Sequence, residues 1–447
     1  MKKDVSYSAR FGKFSENALY QSIDPQLQVS IRDTGFRHGL SYQELRQITE
    51  IAIDLDMWGE PSLIEQVRQL ERELRSNGSS DHKKTIIDIL RDRWISLKQQ
   101  ETRYGTPNKR LNNRPESRKV IASDGDQNVF GMCPVASEKT VCCNLMTIDA
   151  VQGCSLGCSY CSIQTFYTDG KIVVEKNLSE KLKAIPLNPD KNYHIGSGQS
   201  SDSLAIGNRN GVLDAQLDFA RNNSNIILEF KTKSKNIEYL LKTDVPHNVF
   251  VSWSLNPQLF IEQEEHGTAS MNQRLAAARA LADKGIIVGF HFHPIVHYQG
   301  WEKDYHDLIQ KVLTGFSPYE VGMVSMGTLT FIKPAIRKLR MTGIKSKVLQ
   351  IPMDDASGKR SYPKSTKKMI FQFVLNEFSP WHNKVFFYMC MEERELWEAV
   401  FGNCYENNVE FEGALYQHVS SKMVSVSYTH LRAHETRHDL VCRLLLE

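Results

Sequence analysis

The sequence predicts an α/β fold with a parallel sheet, preceded by a small helical module. Two observations carry this prediction: an apolar period of helical type before residue 100, and six short β-rich apolar runs that alternate with helical segments further on. Strand-then-helix repeats imply right-handed crossovers in either a doubly wound sheet or a partial barrel.

The helical module is expected to span residues 1–100, with three helices between residues 41 and 99. The stretches "SYQE" and "SLIE" fit the capping-box pattern, and Ile64, Val67 and Leu70 recur at helical spacing. A packing role is favoured over an independent activity. Residues 101–130 are rich in Asn, Arg, Pro and Gly without an apolar period, which predicts a linker or a surface loop.

The six predicted strands lie after this segment. They cover residues 145–151, 192–197, 226–232, 249–255, 286–292 and 321–327, and the predicted helices between them cover 178–184, 211–222, 235–242, 271–284 and 303–314. In both candidate arrangements the active edge lies where the strands end. A loop with three cysteines directly follows the first predicted strand, on that edge.

Composition limits what these cysteines do. With 447 residues and 41% hydrophobic content, the chain is long enough for two or three domains with buried cores. No stretch reaches the roughly 18 apolar residues of a membrane span, and no secretory signal is recognised, so we expect a cytoplasmic protein without a membrane partner. Disulfides are rare in that compartment, and clustered cysteines there indicate metal or redox chemistry.

The cysteine loop has the sequence "QGCSLGCSYCSIQ" and the spacing C-x3-C-x2-C, at Cys154, Cys158 and Cys161. Thiolates bind zinc and iron–sulfur clusters, and a structural zinc site normally needs a fourth ligand. Three thiolates leave one metal position open, as a catalytic site requires.

With Tyr160 before its last cysteine, this loop resembles the signature of the radical S-adenosylmethionine superfamily. The resemblance implies a partial (β/α)6 barrel of radical SAM type over residues 131–345. It also implies a [4Fe-4S] cluster on the three cysteines, whose open iron chelates S-adenosyl-L-methionine and whose electron generates a deoxyadenosyl radical. A reductant such as flavodoxin or ferredoxin would supply that electron.

A narrower resemblance follows from "GCSLGCSYCSIQT", "SWSLNP", "RLAAARALADKGIIVGFHFHPIVHYQGWEKDY" and "TFIKPAIRKL". These stretches are similar, in order and spacing, to spore photoproduct lyases, which split a thymine dimer in damaged DNA. The likeness runs from about residue 145 to 411. By position, it implies that Tyr160, Ser201, Lys233 and Ser254 surround S-adenosylmethionine.

Two departures from the family concern its hydrogen-transfer residues. Gln199 stands where the lyases place a hydrogen-donating cysteine, and Ser162 replaces a tyrosine after the third cluster cysteine. Three other thiols, Cys133, Cys142 and Cys143, precede the cluster loop. They are candidate hydrogen donors or ligands of a second cluster; the alternatives are inert buried thiols or a small zinc-type site. Cys390 and Cys404 are expected to be core thiols.

Positive charge is concentrated between residues 331 and 368, where eleven Lys or Arg stand against two Asp, although the whole chain carries only +3. Such a stripe suits a polyanion, and a solvated helix face is the alternative. In the similar lyases the corresponding region carries a hairpin that reaches DNA. The resemblance therefore implies a basic substrate-binding region over residues 346–423, with these nucleic-acid contacts: Lys359, Arg360, Tyr362, Lys364, Lys367 and Lys368.

Three histidines, His291, His293 and His297, lie on a predicted strand and its exit, where a pocket-lining role is favoured over metal binding. Residues 424–447 resemble a translated sequencing-adapter sequence, and we expect them to be a non-native tail that packs poorly.

The sequence thus predicts a radical S-adenosylmethionine lyase that repairs DNA. One alternative is the same radical chemistry on an RNA base or another substrate, and a second is a cluster-bearing nucleic-acid sensor without turnover. The sequence does not identify the oligomeric state.

Overall fold

The computed structural model describes residues 2–76, 82–105, 118–124, 128–133, 139–162, 170–198, 200–356 and 358–425. The helices are Lys2–Ser15 (α1), Ala18–Gln21 (α2), Pro25–His38 (α3), Tyr42–Trp58 (α4), Leu63–Ser76 (α5), His82–Gln99 (α6), Leu178–Lys183 (α7), Val212–Asn222 (α8), Glu238–Lys242 (α9), Gln258–Glu264 (α10), Met271–Asp283 (α11), Trp301–Gly315 (α12), Lys333–Arg340 (α13), Lys364–Glu377 (α14) and Arg394–Phe401 (α15), and residues 408–425 form α16.

The strands include all six that the sequence predicts. They are Lys119–Ser123 (β1), Phe130–Met132 (β2), Met146–Ile148 (β3), Val151–Gln152 (β4), Lys171–Glu175 (β5), Tyr193–Ser197 (β6), Ile226–Thr232 (β7), Val249–Ser254 (β8), Val288–Ile295 (β9), Val321–Thr328 (β10), Thr330–Phe331 (β11), Asp354–Ala356 (β12), Lys359–Ser361 (β13) and Phe386–Met389 (β14). The first predicted strand, residues 145–151, is divided between β3 and β4, which belong to different sheets.

The main sheet settles the choice between the two predicted arrangements. Its order is β14-β10-β9-β8-β7-β6-β3-β2, so from β3 to β14 the order in the sheet follows the order in the chain. Pairing is parallel throughout this run, and β2 alone is antiparallel among the described strands of the sheet. A doubly wound sheet requires a reversal of strand order. The sheet is therefore a curled half-barrel, as the resemblance implied.

Burial explains why these strands were recognisable in the sequence. Every residue of β8 and of β10 is buried, because the sheet is covered on both faces. Such strands give near-continuous apolar runs. By contrast, β1 and β5 are short and form a small separate sheet with β4; β1 has no fully buried residue, and β5 alternates in burial. Neither strand has a comparable apolar run in the sequence.

The N-terminal helices have a core of their own and an ionic connection to the barrel. The predicted capping box at Ser41 and Glu44 is present at the start of α4. From the barrel side, Arg340 donates to Asp54 at 2.8 Å through Nε and Nη2 and to Glu50 at 2.8 Å through Nη1. Asp54 is 1% exposed, so this contact is a buried part of the interface.

The segment predicted as a linker, residues 101–130, is ordered at both of its described ends. The Thr102 hydroxyl donates to the Gln350 carbonyl at 2.6 Å, and its own carbonyl accepts from the Gln299 amide at 2.9 Å. Further along, β1 lies within the predicted linker and pairs with β5. The segment thus contributes to two packed regions.

No helix in the described part of the chain is both long enough and apolar enough to cross a bilayer. Of the predicted tail, residues 426–447 lie outside the described residues. Residues 424 and 425 close α16, and the neighbouring Met423 is 3% exposed.

Candidate functional site

The cysteine loop begins directly after β4 with a tight turn. Gly153 has φ +84°, and a Cβ at this position would stand 2.8 Å from the Lys171 carbonyl oxygen. Gly157 has φ +63°, also in the left-handed region that favours glycine. These two glycines let the chain fold back on itself, so that Cys154 and Cys158 face one cavity.

The loop is held from behind by the segment that follows α10. Cys158 forms a β-bridge with Glu265. The Ser159 amide donates to the Glu264 carbonyl at 2.8 Å, and the Gly267 amide donates to the Leu156 carbonyl at 2.8 Å. The backbone of the cysteine loop is therefore fixed by hydrogen bonds before any metal binds.

One cavity collects the predicted cluster and cofactor residues. It encloses about 830 Å³ of empty space, including its open mouth. Its lining contains all seven predicted residues, which are Cys154, Cys158, Cys161, Tyr160, Ser201, Lys233 and Ser254. These residues belong to four separate segments of the chain. They lie close together because each segment is at or near the carboxyl end of a strand.

Glu265 is the charged centre behind this cavity, and sequence reasoning missed it. Its carboxylate accepts from the Tyr160 hydroxyl, from the Arg274 guanidinium and, at 2.9 Å, from Asn256. Lys233 Nζ lies 3.4 Å from Glu265 Oε1. Burial alone would raise the pKa of Glu265, but the charges of Arg274 and Lys233 lower it to about 2. The signal available in the sequence was the acidic pair in "EEHGT".

The predicted cofactor residues also contact each other through the backbone. The carbonyl oxygen of His293 accepts from Lys233 Nζ at 3.4 Å and from Ser254 Oγ at 3.0 Å. The Lys233 amide donates to Asp202 Oδ2 at 2.7 Å, which fixes the start of the loop after β7. Tyr160 stacks on Phe260 with ring centroids 5.7 Å apart. The Lys233 ammonium, the Ser254 hydroxyl and the Tyr160 ring thus all line the first cavity.

Burial governs the protonation of the cysteines that line this cavity. Burial, with the nearby Asp202 charge, raises the pKa of Cys154 to about 12, and burial likewise raises the pKa of Cys158. Before a metal binds, these two thiols therefore stay protonated, and metal binding must release their protons. Three cysteines that line one cavity suit a metal cluster bound through thiolates.

A second cavity adjoins the first inside the barrel. Lys231 and His293 line both cavities. The second lining includes four cysteines, Cys133, Cys142, Cys143 and Cys390. We call this space the thiol cavity. It brings together the three candidate hydrogen donors, and it adds Cys390, which was expected to be a core thiol. Cys390 follows β14 and lies far from the others in sequence, so no spacing pattern could reveal it.

Polar groups form the floor of the thiol cavity. The Glu229 carboxylate forms hydrogen bonds with His194 Nε2 at 2.9 Å and with His291 Nε2 at 2.6 Å. It also accepts a hydrogen bond from the Ser252 hydroxyl. Burial lowers the pKa of His291 to about 4, helped by the nearby Lys231 charge. His291 is therefore a neutral, hydrogen-bonding residue of the cavity. The sequence had predicted only a shared pocket-lining role for His291, His293 and His297.

The predicted nucleic-acid residues fall into two groups. Lys359 and Arg360 are half-buried on the β12–β13 hairpin, and Lys364 and Lys368 are exposed on α14. Lys364, however, lies 2.7 Å from Glu393 and 2.9 Å from Glu395.

Tyr362 and Lys367 do not reach the surface. Tyr362 is 2% exposed, and its hydroxyl accepts from the His297 amide at 3.1 Å. Lys367 is 5% exposed and lies 2.8 Å from Glu392. Packing and an ion pair thus hold both side chains inside, so the structure does not support the aromatic wedge or the Lys367 phosphate contact, and both stay predictions. Gln199, at the family's cysteine position, lies outside the described residues.

Known proteins are similar to the part of the chain that forms the barrel and this site. The family model described as spore photoproduct lyase matches residues 140–376. A spore photoproduct lyase of Clostridium acetobutylicum is 25% identical over 252 residues, covering 52% of this chain and 73% of that protein. One from Bacillus subtilis is 28% identical over 167 residues, covering 36% of this chain and 48% of that protein.

Solved structures show the same fold. A spore photoproduct lyase complexed with dinucleoside spore photoproduct superimposes with a TM-score of 0.53 at 21% identity, covering 65% of this chain and 88% of that one. A mutant lyase with bound AdoMet and the same dinucleoside gives a TM-score of 0.52 at 22% identity, with the same coverage.

Proposed function

The chain belongs to the spore photoproduct lyase family and is a radical S-adenosylmethionine enzyme, and we propose that it repairs a thymine-dimer lesion in DNA. The observation that carries the proposal is the junction of two cavities. The cofactor residues line one, four cysteines line the other, and Lys231 with His293 lies between them. Such an arrangement supports a reaction in which a hydrogen-abstracting group and a hydrogen-donating group act from two sides of one substrate position.

The protein's part in cofactor binding follows from the contacts in the first cavity. Cys154, Cys158 and Cys161 would hold the [4Fe-4S] cluster, and the Lys233 ammonium would pair with the carboxylate of S-adenosylmethionine. Ser201 and Ser254 would hydrogen-bond its polar groups. When bound, the cluster and S-adenosylmethionine supply hydrogen-atom abstraction, while the chain supplies orientation and exclusion of water.

Hydrogen return is assigned to the thiol cavity, and protonation separates its candidates. Contact with Cys142 and burial raise the pKa of Cys143, so this thiol keeps its S–H bond near neutral pH. Cys143 is therefore the preferred donor, with Cys142, Cys133 and Cys390 as the remaining candidates.

DNA contact is assigned to the β12–β13 hairpin and the adjoining surface of α14. Lys359, Arg360 and Lys368 would meet phosphates, because cations that track the backbone give affinity without reading sequence. Lys364 already has two carboxylate partners. The lesion itself must leave the duplex to reach the interior cavities. We further propose a flavodoxin or ferredoxin as reductant and a cytoplasmic location, where the DNA substrate lies.

The test is anaerobic reconstitution followed by product analysis on DNA that carries the photoproduct and on undamaged DNA. Restored thymine from the damaged DNA alone supports the proposal, and Cys158→Ala should abolish it while Cys404→Ala should not. Release of deoxyadenosine without restored thymine would overturn it in favour of radical chemistry on another substrate. No deoxyadenosine under strong reductant would instead favour a non-catalytic sensor.

A further inference from the structure

Lys231 lies where the first cavity meets the thiol cavity, and it lines both. It belongs to β7, on the same face as Glu229, because residues two apart in a strand share a face. Within the part of the chain that the structure describes, its ammonium has no hydrogen-bond or ion-pair partner. His293 also lines both cavities, but its Nε2 already lies 3.0 Å from Ser325 Oγ. Lys231 is therefore a polar group at the junction that is left to bind a ligand.

The charges around Lys231 favour a neutral ligand atom. Glu229 supplies a negative charge nearby, and His194, His291 and Ser252 already occupy its carboxylate. Burial lowers the pKa of Lys231, and the charge of Glu229 opposes that change. A phosphate at the junction would add a second negative charge to this interior, which is costly where water is excluded. A carbonyl oxygen would accept a hydrogen bond from the ammonium without that cost.

We propose that Lys231 is a substrate-binding residue, whose ammonium donates a hydrogen bond to a ring carbonyl oxygen of the lesion. The inference rests on the proposed function and goes beyond it, since it names the group that holds the base between the two cavities. Thymine rings carry carbonyl oxygens that accept hydrogen bonds. A donor that carries charge makes a stronger hydrogen bond than a neutral one, so a single ammonium can orient the ring.

The two lysines at the end of β7 then have separate tasks, although they are only two residues apart. Lys233 Nζ lies 3.4 Å from Glu265 Oε1, on the side of the predicted cofactor residues. Lys231 and Glu229 both line the thiol cavity. Loss of one ammonium should therefore weaken binding of the cofactor, and loss of the other should weaken binding of the lesion.

The test measures the binding of two ligands to the reconstituted protein with S-adenosylmethionine present. One is the dinucleoside photoproduct, which has no phosphate, and the other is the corresponding dinucleotide, which has one. Lys231→Met should weaken both by a similar factor of roughly 10- to 150-fold, as expected when a hydrogen bond from a charged group is lost. Iron content and S-adenosylmethionine affinity should change little. Lys235→Met, at an exposed position, is the control and should bind both ligands normally.

A second variant separates loss of the charged donor from a disturbed fold. Lys231→Arg keeps a cation with N–H donors and should bind the dinucleoside more tightly than Lys231→Met does. Equal affinities in the two variants would contradict a hydrogen bond from the cation.

Three further results would overturn the inference. A loss confined to the dinucleotide would show that Lys231 binds the phosphate, and an equal loss of S-adenosylmethionine affinity would place it in the cofactor site. Unchanged affinity of Lys231→Met for both ligands would remove it from substrate binding while leaving the proposed function intact. If the unsubstituted protein binds neither ligand, the proposed function itself fails, and the role of Lys231 fails with it.

Discussion

The backbone of Gly267 approaches that of Leu156 so closely that a Cβ on Gly267 would stand 2.9 Å from the Leu156 carbonyl oxygen. The same oxygen accepts the Gly267 amide at 2.8 Å. The cysteine loop and the segment after α10 are therefore in direct backbone contact, with no room for a side chain between them.

The close contact predicts that Gly267→Ala displaces the cysteine loop. We expect a loss of about 1–3 kcal/mol in the free energy of unfolding, as for other overpacked sites, together with less iron bound after reconstitution. Chemical denaturation and iron analysis measure the two effects. Gly315→Ala is the matched control, because a Cβ there meets nothing within 4 Å. Equal iron content in the two variants would show that the contact does not position the loop.

Lys233→Met is predicted to weaken S-adenosylmethionine binding. The substitution keeps most of the unbranched side chain but removes the ammonium proposed to pair with the cofactor carboxylate. A charged hydrogen bond of this kind contributes about 1.5–3 kcal/mol, or roughly 10- to 150-fold in the dissociation constant. Calorimetric titration of the reconstituted protein measures it. Lys235→Met, at an exposed position two residues further on, should bind normally; an equal loss there would point to a general electrostatic effect.

Glu264 and Glu265 are predicted to give opposite dependences of stability on pH. Burial raises the pKa of Glu264 to about 7, although Ser346 Oγ at 2.7 Å and the Lys347 amide at 2.8 Å donate to it. Its contribution is present below its unfolded value of about 4.5 and is lost as pH rises through 7. Glu265, with a folded pKa of about 2, contributes above 4.5, and this contribution is lost as pH falls toward 2.

Urea unfolding across pH checks this pair of predictions. Relative to the unsubstituted protein, Glu264→Gln should remove the loss of stability between pH 4.5 and 7, and Glu265→Gln should remove the loss between pH 4.5 and 2. Each variant serves as the control for the other. Parallel pH profiles in both would contradict the assignment.

Arg360→Gln is predicted to reduce DNA affinity evenly across sequences. Removing one phosphate contact should lower the slope of log affinity against log salt by about 1. Fluorescence anisotropy at several salt concentrations gives the slope. Lys364→Gln is the matched variant, since Lys364 already pairs with Glu393 and Glu395 and should change the slope little. If Lys364→Gln changes the slope more than Arg360→Gln, Arg360 is not a phosphate contact.

The central sheet could be predicted because its strands are buried on both faces. Runs such as β7, residues 226–232, show this in their composition, and the predicted and observed bounds coincide. The cluster and cofactor residues could be predicted for a different reason. The three cysteines form a recognisable motif, and the cofactor residues stand at positions that correspond to those of a known family. All seven line one cavity.

Groups that act through burial could not be predicted in the same way. Arg274 lies on α11, in a segment whose pattern shows only an ordinary helix, yet its guanidinium is fully buried against Glu265. Tyr362 lies in a basic, polar stretch that suggests exposure, but its hydroxyl accepts a backbone hydrogen bond in the interior. In both cases tertiary packing determines whether the side chain is buried, and the spacing of residues in the sequence does not indicate it.

The strand order also has a consequence for how the enzyme is assembled. From β3 to β10, each strand of the main sheet pairs with the strand of the same sheet that precedes it in the chain, so this part of the barrel can form progressively during synthesis. β14 docks only after the chain has travelled from residue 328 to residue 386, and it carries Cys390 at its end. The cofactor cavity can therefore be complete while the thiol cavity still lacks a wall. A chain cut short before β14 would keep its cluster ligands and lose the compartment that we expect to control the radical.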